Sequence, residues 1–153
     1  MVAHRPKGAP TPDQAHRLAA LGRVPREVFD LLAASTVPLK AYELLWLMQK
    51  ARGRPSPPTT IYRGLNVLME AGLAHKVESL GAYVICRGPA HAHTPTFFIC
   101  EVCKTTLELE LARTPAEVKE RIVQSRFTLH HLNYDIRGIC GQCAAARSAG
   151  GDS

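Results

Sequence analysis

The chain has 153 residues, 46% of them hydrophobic, which suits one ordinary domain or two small ones. No apolar run approaches the ~18 residues of a membrane span, and the opening MVAHRPKGAPTP lacks the apolar core of a signal peptide, so a cytoplasmic protein is expected. Net charge is +6 with pI about 9.3, and the excess is uneven: residues 1–86 carry 11 Lys/Arg against 6 Asp/Glu, residues 87–153 carry 8 against 7. A basic N-terminal half suggests a polyanionic partner; a merely basic surface is the alternative.

Residues 1–10, rich in Pro and Gly, read as a disordered arm. Thr11, Pro12 and Gln14 then form a capping-box pattern that starts a helix, and Gly22 is a plausible stop. A second helix is predicted from about Pro25, with Val28, Leu31 and Leu32 on one face. A third starts near Leu39, with Ala41, Leu44, Leu45 and Met48 at helical spacing. After the cationic loop 52–58, a fourth helix is predicted with Ser56 or Thr59 as cap. Ile61, Leu65, Leu68 and Met69 are its buried stripe, and Gly72 its end. Such an array predicts a helix-turn-helix unit.

Two short strands follow, Ala74–Glu78 and Ala82–Cys86. With Leu80-Gly81 as the turn, residue 75 pairs with 86, which sets His75 and Cys86 roughly 5 Å apart at Cβ. A hairpin in this place is the wing of a winged-helix domain. Residues 87–95 read as a linker. Strands are predicted at Thr96–Ile99 and Thr105–Leu111, a helix from the capping box at Thr114 to about Arg126, and a β-like stretch over Phe127–Ile136. The last ten residues, 144–153, read as a disordered tail.

Five cysteines without an export signal argue for metal or redox chemistry rather than a disulfide framework. Cys100-x-x-Cys103 and Cys140-x-x-Cys143 can close a tetrahedral four-sulfur shell at the ~2.3 Å zinc–sulfur distance, which makes that site structural. A thioredoxin-like redox pair and unrelated buried cysteines are the alternatives. The residues His75, Cys86, His91, His93, Glu108, Glu110 and His131 can supply a mixed nitrogen, sulfur and oxygen site, and the cysteine among them favours zinc over ferrous iron or manganese. A single histidine of such a set is more often a solvated or hydrogen-bonded surface residue than a ligand; His75, with Cys86 opposite it, is the stronger candidate.

These residues carry a recognisable pattern. AYELL at 41–45, PPTTIYRGLNVLMEAGL at 57–73, HKVESLGAYVIC at 75–86, HTPTFFICEVC at 93–103 and the final CGQC resemble the ferric uptake regulator family, and within it the zinc uptake regulator branch. The resemblance implies an α+β protein. A winged helix-turn-helix domain over 11–86 would be joined by a hinge, 87–95, to a zinc-stabilised α/β dimerisation domain over 96–143. It implies a homodimer that binds palindromic operators when zinc-loaded and represses zinc-uptake genes, not an enzyme. It implies two zinc ions per chain: a structural one on Cys100, Cys103, Cys140 and Cys143, and a regulatory one on His75, Cys86, His93 and Glu108. His91 and His131 are spare ligands. Arg63 matches a DNA-contacting residue, with Thr60, Tyr62 and Tyr42 near the DNA. Lys50, Arg52 and Arg54 are expected at phosphates, or else as a solvated loop.

Two positions depart from the family pattern. Lys104 follows the first C-x-x-C where glycine is usual, and Lys40 stands where a Ser or Thr helix cap is common. The competing functions are an iron, manganese or peroxide sensor of the same family, a zinc-binding adaptor without DNA, and a zinc hydrolase with Glu108 as its base.

Overall fold

The computed structural model describes residues 10–87, 94–111, 115–130 and 132–149. The first stretch is helical until the wing. Helix α1 spans Pro12–Ala19, α2 Arg23–Ala34, α3 Ala41–Arg52 and α4 Pro58–Glu70. The capping box of α1 forms as the sequence predicts. Thr11 Oγ1 accepts the Gln14 N–H at 3.2 Å, and Gln14 Oε1 accepts the Thr11 N–H at 3.0 Å. Lys40 precedes α3 without a side-chain acceptor, and the carboxylate of Glu43 reaches back to its N–H at 2.7 Å. Helix α4 takes neither predicted cap. Pro57 holds the cap position, while Ser56 is buried, accepting from Arg52 through its hydroxyl and from Gln49 through its carbonyl.

The apolar stripes of these helices meet in one core. Val28, Phe29 and Leu32 of α2, Leu44 and Met48 of α3, and Ile61, Leu65 and Leu68 of α4 are all buried there. Gly64 lets α2 and α4 approach closely: a Cβ at this position would meet Val28 Cγ2 at 3.0 Å.

The wing consists of β1 (Ala74–Val77) and β2 (Ala82–Ile85), paired antiparallel, with His75 opposite Val84 and Val77 opposite Ala82. Leu39 adds a third rung by exchanging backbone hydrogen bonds with Tyr83. The predicted register is therefore displaced by two residues. A 3₁₀ turn at Glu78–Leu80, closed by Gly81 at φ +58, makes the connection that Leu80-Gly81 alone was expected to make. A slip of two preserves side-chain parity, so His75 and Cys86 stay on one face as diagonal neighbours.

The second part holds β3 (Thr94–Cys100), β4 (Thr106–Leu111), α5 (Ala116–Gln124), β5 (Tyr134–Gly138) and α6 (Gly141–Ala149). The sheet order is β4-β3-β5, with β3 antiparallel to β4 and parallel to β5. Three predictions need correction. Strand β3 begins at Thr94, inside the expected linker, whose residues 88–93 lie outside the described part. The expected β-like stretch 127–136 is a strand only from Tyr134. Its first residue instead caps α5, through Phe127 N–H to Ile122 C=O with Arg126 at φ +53. The expected tail 144–153 is helical to Ala149, where Ala144, Ala145 and Ala146 supply helix propensity. Residues 1–9 of the expected arm are outside the described part, as is Thr114, the predicted cap of α5; Pro115 stands at its cap position.

A second, smaller core joins the wing to this sheet. Val77, Phe97 and Ile99 are buried together, with Leu80 and Val84 packed on them. Three of the five come from the wing and two from β3. The hydrophobic effect thus holds the winged part against the sheet part, at roughly 1.5–3 kcal/mol per fully buried large side chain.

Candidate metal centres and nucleic-acid surface

The sheet topology assembles the four-cysteine cluster. Cys100 ends β3, and Cys103 lies on the turn that follows. Because β5 runs parallel to β3 with Cys100 beside Gly138, both strands deliver their C-terminal knuckles to one end of the sheet. Cys140 follows β5, and Cys143 sits in the first turn of α6. All four sulfurs lie within 4.8 Å of one another. Cys103 Sγ and Cys140 Sγ are 3.8 Å apart, matching the ~3.8 Å edge of a tetrahedron built on ~2.3 Å zinc–sulfur bonds.

The electrostatics fit a cation. The backbone N–H of Cys140 donates to Cys100 Sγ at 3.4 Å and, with the N–H of Cys103, draws the Cys100 thiol down to about 6. The Thr105 hydroxyl, 3.2 Å from Cys103 Sγ, lowers Cys103. Cys143, sharing a hydrogen bond with the Cys140 thiol in the same crowded cluster, is pushed up to about 12. The cluster thus favours its first thiolate and resists its last. A bound cation removes that resistance, since it favours the charged form of every ligand.

The second centre spans the two parts of the molecule. His75 comes from β1, Cys86 from the residue after β2, and Glu108 from β4; one ligand atom of each lies within 4.8 Å of the other two. His75 Nε2 is 3.2 Å from Glu108 Oε1, and Cys86 Sγ is 3.9 Å from the same oxygen. A zinc tetrahedron expects about 3.4 Å between nitrogen and oxygen ligands and about 3.5 Å between sulfur and oxygen. The first separation is within 0.2 Å of this, and the second is a few tenths long. The backbone N–H of Arg87 donates to Glu108 Oε2 at 2.7 Å, which turns Oε1 toward His75 and Cys86. The Glu108 side chain is 5% exposed and Cys86 1%. Burying a carboxylate this deeply calls for a cationic partner or several hydrogen bonds, and the donor set suits zinc. The His75 ring also stands edge-on to Phe97 at 6.1 Å, tying it to the second core.

His93, expected as the fourth ligand, lies outside the described residues, as do His91, His131 and the side chain of Glu110. Three of the four predicted regulatory ligands and all four structural ones are thus brought together.

The surface of α4 separates as predicted except at Met69, which is only partly buried. Ile61, Gly64, Leu65 and Leu68 face the core, while Tyr62 and Arg63 are exposed and Thr60 is half-buried. Tyr42 and Trp46 project from α3, 66% and 58% exposed, and Lys50 Nζ lies 5.0 Å from the Trp46 ring. Trp46 went unassigned in the sequence, although its i, i+4 spacing from Tyr42 signals the shared face. Arg52 does not sit as expected at a free phosphate-facing position. It binds Glu27 through Nε at 2.8 Å and through Nη2 at 2.5 Å, and donates to Ser56 Oγ at 3.2 Å, pinning α3 to α2. Among the described residues, no helix is long and apolar enough to cross a membrane.

Comparison with known proteins gives a consistent result. No protein-family model matches the chain. The zinc uptake regulation protein of Escherichia coli (strain K12) is 34% identical over 119 residues, covering 76% of this chain and 68% of that protein, and the Shigella flexneri protein of the same name gives the same values. Among solved structures, a zinc uptake regulator complexed with zinc and DNA superposes with a TM-score of 0.81 at 30% identity, covering 89% of this chain and 94% of that one. The crystal structure of holo XcZur gives 0.73 at 34% identity, covering 82% and 86%.

Proposed function

The chain belongs to the zinc uptake regulator family, and from that membership we propose that it is a zinc-responsive transcriptional repressor, cytoplasmic and without catalytic activity. As a zinc-loaded homodimer it binds palindromic operators of zinc-uptake genes. Residues 11–86 form the winged DNA-binding domain, 94–149 the dimerisation domain, and 87–93 the hinge. The single observation that carries this reading is the His75–Glu108 contact at 3.2 Å, in which a wing residue and a sheet residue turn ligand atoms toward one point.

Each chain holds two zinc ions in this reading. Cys100, Cys103, Cys140 and Cys143 hold a structural one, and four protein thiolates leave it no open position. His75, Cys86 and Glu108, with His93, hold the regulatory one. Bound there, an ion supplies a bond between the two domains. The chain's own residues do the rest. Val77 and Phe97 pack the wing against the sheet, and Glu108 presents Oε1 to the wing under the hold of Arg87. Zinc favours this arrangement only by its differential affinity for it, and operator DNA raises zinc affinity by the same factor.

A second copy fits the outer face of the sheet. Phe98, Ile136 and Ile139 are each more than 40% exposed there, beside Leu107 and Leu109. Pairing through that face presents two α4 helices to successive major-groove faces, ~34 Å apart. Arg63, at the exposed surface of α4, reads a base edge, flanked by Tyr62, Thr60 and Tyr42.

The test is operator binding titrated with free zinc, beside zinc analysis of wild type and Cys86→Ala. Two ions per chain and zinc-dependent binding are expected for wild type, with one ion and loss of the zinc response for the variant. A zinc response that survives Cys86→Ala removes the regulatory site.

A further inference from the structure

The peptide between Cys86 and Arg87 is held on both of its polar atoms by side chains from distant elements. Gln14, in α1, donates from Nε2 to the Cys86 carbonyl at 2.5 Å across 72 residues. Glu108, in β4, accepts the Arg87 N–H at 2.7 Å through Oε2. The Cys86 N–H is fixed in turn to the Leu73 carbonyl at 2.9 Å. Gln14 itself has little freedom. It is 5% exposed, and the amide of Thr11 holds its Oε1.

The consequences converge on the mixed centre. A peptide unit is planar, so fixing its carbonyl direction fixes the opposite direction of its N–H. The N–H of Arg87 sets which oxygen of Glu108 turns toward His75 and Cys86. The backbone of Cys86 sets where its thiol points. One glutamine, remote from the ion, therefore governs two of the ligands through a single peptide.

We propose that Gln14 is a positioning residue of the regulatory zinc site, orienting the Cys86–Arg87 peptide so that the Cys86 thiol and Glu108 Oε1 converge with His75. The inference rests on reading His75, Cys86 and Glu108 as that site. It makes α1, which supplies no ligand, part of the sensor and part of what sets its affinity. Partners that orient metal ligands typically change affinity by roughly 10- to 100-fold when removed.

The experiment measures the affinity of the second zinc by chelator competition, on the full-length protein already holding one zinc per chain. Gln14→Met keeps length and apolar bulk and removes the donor. Gln14→Glu keeps the capping box of α1 and also removes the donor. Thr11→Ala weakens the same helix cap and keeps the donor. Cys86→Ala reports on the site itself. Cobalt added as the second ion reads the Cys86 thiolate directly, through its sulfur-to-metal absorption.

Both Gln14 variants should bind the second zinc about tenfold or more weakly, with a diminished cobalt–thiolate band. Thr11→Ala should match wild type in both. Wild-type zinc affinity in a folded Gln14 variant overturns the proposal, as does an equal weakening by Thr11→Ala. If one Gln14 variant does not fold, the other decides. If wild type binds a single zinc, or Cys86→Ala binds two, the regulatory-site reading has failed and the inference falls with it.

Discussion

Ser79 and Asp135, 56 residues apart, are joined by a 2.8 Å hydrogen bond from the Ser79 N–H to Asp135 Oδ2. Arg137 Nη2 returns to the Ser79 carbonyl at 3.0 Å. The turn of the wing is therefore gripped by alternate residues of β5, beside the core of Val77, Phe97 and Ile99. This grip needs no metal. Asp135→Ala should loosen the wing by about 1 kcal/mol and weaken the second zinc site roughly fivefold, leaving the four-cysteine site filled. Zinc competition on the variant checks this; an unchanged second affinity means the grip does not contribute.

Lys104 occupies the left-handed region at φ +61, in the turn after Cys103. A side chain there costs about 1–2 kcal/mol that glycine does not incur. Lys104 Nζ recovers part of it by donating to the Glu101 carbonyl at 2.7 Å. Lys104→Gly should raise the stability of the sheet domain by about 1 kcal/mol, read as a higher midpoint in thermal unfolding with zinc bound. A lowered midpoint would show the lysine contact to outweigh the strain.

Two arginines near the proposed DNA surface should behave differently. Arg63→Ala should cost about 1–3 kcal/mol of operator affinity with zinc content and melting temperature unchanged. Arg52→Ala should lower the melting temperature, because its guanidinium is bonded to Glu27 and Ser56. Operator titration and thermal unfolding of both variants separate the roles. An Arg63 variant with wild-type DNA affinity removes that residue from the reading surface.

The Glu27 pair gives stability a defined pH dependence. Partial burial would raise the Glu27 carboxyl, but hydrogen bonds from Arg23 and Arg52 outweigh it and hold the group below its ordinary value. The unfolded chain therefore takes up this proton first as pH falls. The contribution is complete above the unfolded value of about 4.3 and is lost as pH falls through the lower folded value. The gap in urea midpoint between wild type and Glu27→Gln, followed by helical circular dichroism, should be constant near neutrality and close below about pH 4. A gap that persists at low pH contradicts the assignment.

Much of this was legible in the residues alone. The C-x-x-C pairs announced their four-thiolate shell because ligands two residues apart on a turn need little help from the rest of the fold. The helices of the winged part followed from apolar spacing and from the Thr11–Gln14 capping box, both local properties. His75 and Cys86 are not the directly paired residues the sequence suggested, and they still share a face only because the register slip was even.

Long-range geometry was decided by tertiary structure alone. Nothing near Gln14 marks it as a partner of Cys86, since the contact depends on how α1 packs beside the end of the wing. Arg52 reads as a free cation in its loop, and only the packing of α3 on α2 brings Glu27 to it. The second core, three residues from the wing and two from β3, has no counterpart in either segment's own pattern. Periodicity reports which face of an element is apolar; it does not report what that face meets. The cysteines and histidines thus marked the candidate ligands, and the packing of wing on sheet determined which of them meet.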